Sequence, residues 1–600
     1  MKFRMSVAFV SIVCLLLTFE LGFAQLSKVD PIVTEWPDKV IPKLDNALLI
    51  DDLFDVPEAW NYVPDKPKTE GRLKRPVTVP LGRYIDSVGF ASADSNTGVF
   101  LKKVSYSKGG GDTWEYLVSR RFKLSNGVIS KEVKLIEMVT AEKHKHIDRK
   151  LKLPRNSLRS VGIKGDVILT ASNQVGRVDL WSISGKGKHL CGWQPYGLNP
   201  KFDERLSDAL VHSAERAFTL NYGGDFLSWK LPECEVVYKR KFSKNANIRI
   251  RMSPGYSPNF KHMAVWSDNN LLLVDLDTGK TLGILPAIYD PGFVQPTFSP
   301  DGSKLACSEI QNTTPILVVY DLKTGKVDSR IPFPETMLSP IKTAERRRGG
   351  FSWVDNNHGV VAGAVLVDLN AGKPIWKFNV PPRDVFRTPT VASAPGYGFW
   401  YCDEAKSRSL RAIQLPHEAA LRKGKDIPNV FVANPGSKVS LAVDVSGAPK
   451  EVGTVLNKGF VGSVETAGFQ IGKGEPLKFH LNVEVVDKGQ MVGTETLIPK
   501  SFGGVRKKKA EDVAIKSIVV TASATLDGRE VWKDVEEVLP SKSDIFRPDP
   551  EKTFEEQILE KQWEHVKKFT PAKQFKKIPA YLSDPELRLN FPSSSYPVSK

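Results

Sequence analysis

Cysteine is scarce in this chain: five in 600 residues, Cys14, Cys191, Cys234, Cys307 and Cys402, no two of them adjacent. That excludes a small disulfide-stapled scaffold, and a chain this long buries enough apolar surface to fold without staples. Long apolar runs are missing too. Past residue 24 the best is GVVAGAVLV at 359–367, nine residues, where about 20 are needed to cross a bilayer. The composition, 41% hydrophobic and 26% charged, excludes a collagen-like or largely disordered chain.

What is present begins with a leader-like segment. Lys2 and Arg4 precede the apolar stretch Met5 to Phe19, and Gly22-Phe23-Ala24 puts small residues at the −3 and −1 positions. This is the layout of a signal peptide at 1–24, cut before Gln25. As a membrane anchor the apolar stretch is short, and Glu20 ends it. The expectation is an exported chain, periplasmic or extracellular. Without Lys2, Arg4 and Glu20 the net charge is 17 − 1 = +16. Cys191, Cys234, Cys307 and Cys402 remain, either buried and reduced or paired in one of several ways that spacing does not separate.

A repeat dominates the middle of the chain. Six segments carry an apolar strand that ends in Asp-Leu-x-x-Gly or a relative of it. They are RVDLWSISGKG (177–187), DFLSWKLPE (225–233), LLLVDLDTGKTLGIL (271–285), ILVVYDLKTGKV (316–327), AVLVDLNAGKPIWKF (364–378) and SLRAIQLP (409–416). The Asp of the clear copies aligns with Ser182, Lys230, Asp275, Asp321, Asp368 and Ala412, at intervals of 48, 45, 46, 47 and 44 residues. A second apolar strand precedes each marker, and no period-3.6 pattern lies between, so helical solenoids are excluded. Gly279, Gly325 and Gly372 are placed to supply positive φ in hairpin loops.

Four short strands in about 40–50 residues is the arithmetic of a β-propeller blade. An earlier set, YIDSVGFA (84–91), TGVFLKKVSY (97–106), TWEYLVSRRFKL (113–124) and GVISKEVKLIEM (127–138), makes seven units, within a range of six to eight, with 139–157 as an insertion. The last unit has only three clear strands, so its fourth must come from PVTVP (76–80) or NVFVAN (429–434). The stretch Phe298-Ser299-Pro300-Asp301-Gly302-Ser303-Lys304-Leu305-Ala306 resembles the signature of TolB-type and WD-repeat propellers. VDLDTGK, YDLKTGK and VDLNAGKPIW resemble repeats of quinoprotein-type and surface-layer propellers. The resemblance spans roughly 158–416 and implies the fold; its residues build turns, so it implies no activity.

The expected architecture is therefore all-β dominated. It comprises an extended arm at 25–75, a propeller at 76–417, a small α+β or β domain at 428–540, a helix at 549–570 and a tail at 571–600. Within the small domain, 450–468 reads as a short helix interrupted at Gly459. The terminal helix is marked by Asp549 as cap, Pro550 at its first position, and the stripe Phe554, Ile558, Leu559, Trp563, Val566 and Phe569.

The pattern offers no catalytic signature. No Gly-x-Ser-x-Gly elbow occurs. The Trp of the quinoprotein docking motif stands in one copy only, and Gly472 and Gly474 have no phosphate-loop context. His144, His146 and Asp148 are the one clustered ligand set, but Lys143, Lys145, Arg149 and Lys150 surround them and oppose a cation. No catalytic, cofactor or metal site is expected. Positive charge does accumulate: 142–155 holds six Lys or Arg against two acids, 346–348 is Arg-Arg-Arg, 506–509 is Arg-Lys-Lys-Lys, and 561–577 is Lys-rich. The reading is a non-catalytic binding or scaffold protein of the cell envelope or exterior. Its partner is a protein or an anionic envelope polymer or surface; export argues against nucleic acid. The candidate contacts are Lys143, Lys145, Arg149, Lys150, Lys567, Lys568, Lys573, Lys576 and Lys577. The alternative is an enzyme or small-ligand sensor with its site in a central channel.

Overall fold

A computed structural model describes residues 47–50, 60–64, 77, 79–80, 85–90, 97–107, 113–139, 158–164, 166–172, 176–197, 201, 203–242, 254–267, 270–288, 290–291, 295–334, 337, 351–379, 392–394, 397–404, 407–499, 505–540 and 551–595. The expected leader and most of the 139–157 insertion lie outside them.

Seven sheets are built from strands that follow one another in the chain. Sheet I holds Ile85–Phe90, Thr97–Ser107, Thr113–Lys123 and Val133–Val139. Sheet II holds Leu158–Lys164, Val167–Ser172, Arg177–Ser182 and Lys188–Trp193. Sheet III holds Leu206–Ser213, Arg216–Asn221, Asp225–Lys230 and Glu235–Lys241. Sheet IV holds Gly255–Tyr256, His262–Ser267, Asn270–Asp275 and Thr281–Leu285. In sheet V the pair Asp290–Pro291 and Thr297–Phe298 flanks Lys304–Gln311, followed by Thr314–Asp321 and Lys326–Pro332. Sheet VI holds Phe351–Trp353, His358–Val361, Val365–Asp368 and Lys373–Asn379. Sheet VII has three consecutive strands, Ala392–Ala394, Tyr397–Glu404 and Ser407–Gln414.

The repeat markers fall where the third strand of a sheet ends. Ser182, Lys230, Asp275 and Asp368 are last residues of third strands, Asp321 ends the strand that takes this place in sheet V once its two short edge strands are taken as one, and Ala412 lies two before the end of its own. The motif acts locally. Asp275 Oδ1 accepts from the backbone N–H and hydroxyl of Thr278, and Asp368 Oδ1 accepts from the N–H groups of Asn370 and Ala371. The next residue, Leu276, Leu322 or Leu369, is buried, and its N–H reaches back to Lys261, Ser303 or Asn357 across the preceding hairpin. Gly279, Gly325 and Gly372 have φ of +76°, +68° and +63°, the left-handed region that a Cβ disfavours.

The third strands read as unbroken apolar runs because both faces of each sheet are covered. In Asn270–Asp275, Leu272 and Val274 share a core with Phe218, Phe226 and Tyr238 of sheet III. Leu271 and Leu273 share another with Leu305, Ile316 and Val318 of sheet V. Alternation continues through the stack: Trp229 faces Trp193 of sheet II, while Leu317 and Val319 pack with Val365 and Trp353 of sheet VI. Polar ties join neighbouring sheets as well. Arg121 donates to the Ile183 carbonyl, Tyr238 to that of Leu276, and the Trp353 indole to that of Thr297. First strands also meet in order, Ile85–Phe90 against Leu158–Lys164 and Phe351–Trp353 against Ala392–Ala394.

The two candidates for the missing fourth strand of sheet VII have different fates. Val79–Pro80 pairs antiparallel with Leu410 and Ser409, and completes the sheet. Phe431–Ala433 pairs instead with Leu582–Ser583. Segments from near both ends add fifth strands. Leu48–Ile50 runs parallel to Tyr238, Lys239 and Arg240 on sheet III, and Ser593–Ser595 runs parallel to Lys377, Phe378 and Asn379 on sheet VI. Further along the arm, the Trp60 indole donates to the Leu322 carbonyl and its ring lies against Gly283 and Gly325, where a Cβ would collide. The Tyr62 hydroxyl donates to the Gly302 carbonyl.

The C-terminal unit is built differently. Its sheet VIII has the order Gln470–Ile471, Lys438–Asp444, Leu477–Pro499, Val505–Leu526, Arg529–Val538. The first pairings are parallel, crossed over by the helix Lys450–Thr466, and the rest antiparallel. Gly459 does not interrupt that helix. It lies where a Cβ would sit 3.1 Å from Pro571 of the second helix, so a small residue lets the two helices approach. Val452, Leu456, Phe460 and Val464, at helical spacing, pack on Phe479, Leu481, Val520 and Ala522.

The second helix spans Phe554–Lys573 rather than 549–570. Thr553 caps it, accepting from the Glu556 N–H while the Glu556 carboxylate accepts from Thr553, a reciprocal pair that outcompetes an upstream start. Asp549 and Pro550 lie outside the described residues. The expected tail continues folded through residue 595, because Phe575, Ile578, Leu582 and Phe591 are buried.

Candidate functional site

The Lys-rich face follows from how the second helix docks. Trp563 and Val566 enter the core of the unit, and two buried amides fasten the same side to the sheet. Gln562 Nε2 donates to the carbonyls of Lys516 and Val538, and Gln574 Nε2 to those of Val520 and Asp534. Residues on the other side must then face water. Lys567, Lys568 and Lys573 are exposed, and a single 3₁₀ turn, Phe575–Lys577, buries Phe575 and turns Lys576 and Lys577 outward. All five lysines expected here lie on one exposed helix–turn segment.

Their surroundings differ. Lys568 and Lys573 place their ammonium groups 5.3 Å and 4.9 Å from the centre of the Phe569 ring, whose other neighbour is His565 at 4.5 Å between ring centres. Two cations flanking one half-exposed aromatic ring make a compact positive patch. Lys567 lies 3.5 Å from Glu451 of the first helix, and Lys577 lies 3.2 Å from Asp534 of the last strand. Exposed pairs of this kind contribute about 0–1 kcal/mol, so an anionic ligand competes for these two lysines at little cost. The charge pattern revealed the lysines but not the two acids, which come from distant parts of the chain.

Lys143, Lys145, Arg149 and Lys150, with His144, His146 and Asp148, lie outside the described residues. Arg506, Lys507, Lys508 and Lys509 belong to the long hairpin of sheet VIII, paired in register with Ile498, Leu497, Thr496 and Glu495. That hairpin outruns its neighbours: Lys438–Asp444 reaches along it to Asn482, and Arg529–Val538 begins pairing at Ile518.

A second polar cluster, missed in the sequence, is buried within sheet II, on the face opposite Val178 and Leu180, which pack on sheet III. Arg177 and Asp179, both 1% exposed, form an ion pair in which Arg177 Nη2 is 3.0 Å from Asp179 Oδ1. The same oxygen lies 2.9 Å from His189 Nε2. Gly192 is required beside them, since a Cβ there would meet Asp179 Oδ1 at 2.1 Å. The carboxylate is saturated by its own neighbours, which makes the cluster a lock between strands rather than a general base awaiting substrate. Its one sequence signal was the charged Arg-x-Asp inside an otherwise apolar strand.

Among the described residues no three His, Cys, Asp or Glu side chains gather as a metal site, and no helix is long and apolar enough to cross a membrane. Comparison with models of known protein families finds no match, and no curated protein matches either.

Proposed function

We propose that the seven sheets are blades of one β-propeller, and that the chain is an exported, non-catalytic binding or scaffold protein of the cell envelope or exterior. The closure is supported by one buried cluster above all. Val79 and Leu410 of sheet VII share it with Phe100, Phe122 and Leu124 of sheet I, so the last sheet meets the first. With Val79–Pro80 supplied from before sheet I, the last blade is completed by the start of the chain, which removes an open edge.

The partner on this reading is an anionic polymer or surface, engaged by the face that carries Lys567, Lys568, Lys573, Lys576 and Lys577. The observation that carries it is the exposure of all five on one helix–turn segment, with Lys568 and Lys573 gathered about Phe569. Charges in water act over about 8 Å at physiological salt, so such binding weakens steeply as salt rises. The test is retention on the native envelope polymer at low and high salt, for the native protein and for a variant with the five lysines changed to Ser. The expected result is salt-sensitive retention that the variant loses in large part. Retention unchanged by both salt and substitution would overturn it.

A further inference from the structure

We infer that Cys191 and Cys234 are a redox-modifiable pair that closes into a disulfide between sheets II and III when a disulfide donor is present. Cys191 lies on Lys188–Trp193, the last strand of sheet II. Cys234 sits in the tight turn between the third and fourth strands of sheet III, with φ of +58°. Both belong to the same packed region, where Cys191 lies against the buried cluster that contains Cys234, Trp193 and Trp229. The two indole rings, 5.7 Å apart between centres, bring these faces of the sheets together beside the cysteines. Each thiol is the first influence on the acidity of the other, and Cys234 Sγ itself donates to the Pro232 carbonyl of its own turn.

The surroundings favour this pair over Cys307. Cys307 is fully buried in the core shared by sheets IV and V. Cys191 is partly exposed, so a donor reaches it from solvent. Cys234 has its thiol pulled below the usual value by its neighbour Cys191 and against the effect of burial, while the same contact raises the thiol of Cys191.

The step balances as ordinary thiol–disulfide exchange. One protein thiolate attacks a small-molecule or protein disulfide and releases one donor thiolate. The other attacks the protein sulfur of the mixed disulfide, releases the second donor thiolate and leaves Cys191 bonded to Cys234. Two protein thiols lose two protons and are oxidised, and one donor disulfide is reduced to two thiols. Because the bridge ties residues far apart in sequence, it restricts the unfolded chain and stabilises the contact between two neighbouring sheets.

The experiment uses the full chain, prepared reduced and incubated with oxidised glutathione, then alkylated under denaturing conditions and mapped by mass spectrometry. The expected result is a Cys191–Cys234 cross-linked peptide, Cys307 still alkylated, full reversal by dithiothreitol, and a Tm several degrees above that of the reduced protein. Cys191→Ser should abolish the cross-link and the Tm rise. If that variant does not fold, the peptide map of the native chain decides alone. Recovery of both cysteines alkylated, a stable glutathione adduct with no ring closure, or a bridge to Cys307 or Cys402 would each overturn the inference.

Discussion

The repeating sheets and the C-terminal unit are both rich in strands, yet the polar side chains that recur from sheet to sheet act locally, while those that dock the second helix of the C-terminal unit act at long range. In sheets IV to VI each hairpin is closed by its own residues: Asp275, Asp321 and Asp368 accept from N–H groups two or three positions ahead. In the C-terminal unit the comparable work falls to Gln562 and Gln574, which reach carbonyls of strands 24 to 54 residues away in the chain. Pairing differs in the same way. Neighbours in sequence pair in the repeats, whereas Ser440 meets Lys478 across a whole helix. Local chemistry can be copied from sheet to sheet, and so appears as a period. Long-range chemistry is used once, at one place.

The sharpest way to break this comparison is to remove one buried indole from each region. Trp229→Ala and Trp563→Ala should each cost about 3–5 kcal/mol. Hydrogen exchange should place the loss in sheets II and III for the first, and in the Val505–Leu526 and Arg529–Val538 strands for the second. If Trp563→Ala exposed the amides of sheets II to V equally, the two regions would be one cooperative unit and the contrast would fail.

A smaller effect separates the shared turn from what is built upon it. A Cβ at Gly372 meets nothing within 4 Å, so Gly372→Ala should cost only the backbone strain of its +63° φ, about 1–2 kcal/mol. Gly325 has nearly the same φ, but a Cβ there would lie 2.7 Å from the Trp60 ring. Gly325→Ala should therefore cost more, and Trp60→Ala in the same chain should recover the excess. Chemical denaturation of the single and double variants reads this directly; equal costs would mean that the arm contributes nothing at that turn.

The smallest expected effect is electrostatic. Burial opposes charging His358, but the hydrogen bond and charge of Asp355 outweigh it and hold the imidazole above its usual 6.5. Its contribution to stability is complete below 6.5 and is lost as pH rises through the higher folded value. His417 behaves oppositely. Burial beside Trp376 keeps it below 6.5, and its Nδ1 accepts from the Ala420 N–H to cap the helix Glu418–Lys425. That contribution is present above 6.5 and is lost as pH falls through the lower folded value. NMR titration of the two rings should give midpoints on opposite sides of 6.5, and coincident or inverted midpoints would refute both assignments.

Much of the candidate site was readable from charge alone, since Lys567 to Lys577 had to be exposed once Trp563 and Val566 were turned inward at helical spacing. Their partial neutralisation was not readable, because Glu451 and Asp534 arrive from another helix and another strand. The same division holds for the helix at 450–466: its apolar spacing was legible, while the purpose of Gly459 depends on Pro571, more than a hundred residues later.

The strands of the repeat, their turns and their spacing are written locally in the chain, because an Asp, a buried Leu and a left-handed Gly act within about a turn of one another. Packing of the whole chain selected Val79–Pro80 rather than 429–434 to complete sheet VII, added parallel strands from near both ends to sheets III and VI, and set Cys191 against the cluster that holds Cys234. Each of these joins segments brought together by packing, and packing selects partners by shape and burial over the whole chain rather than by any local period.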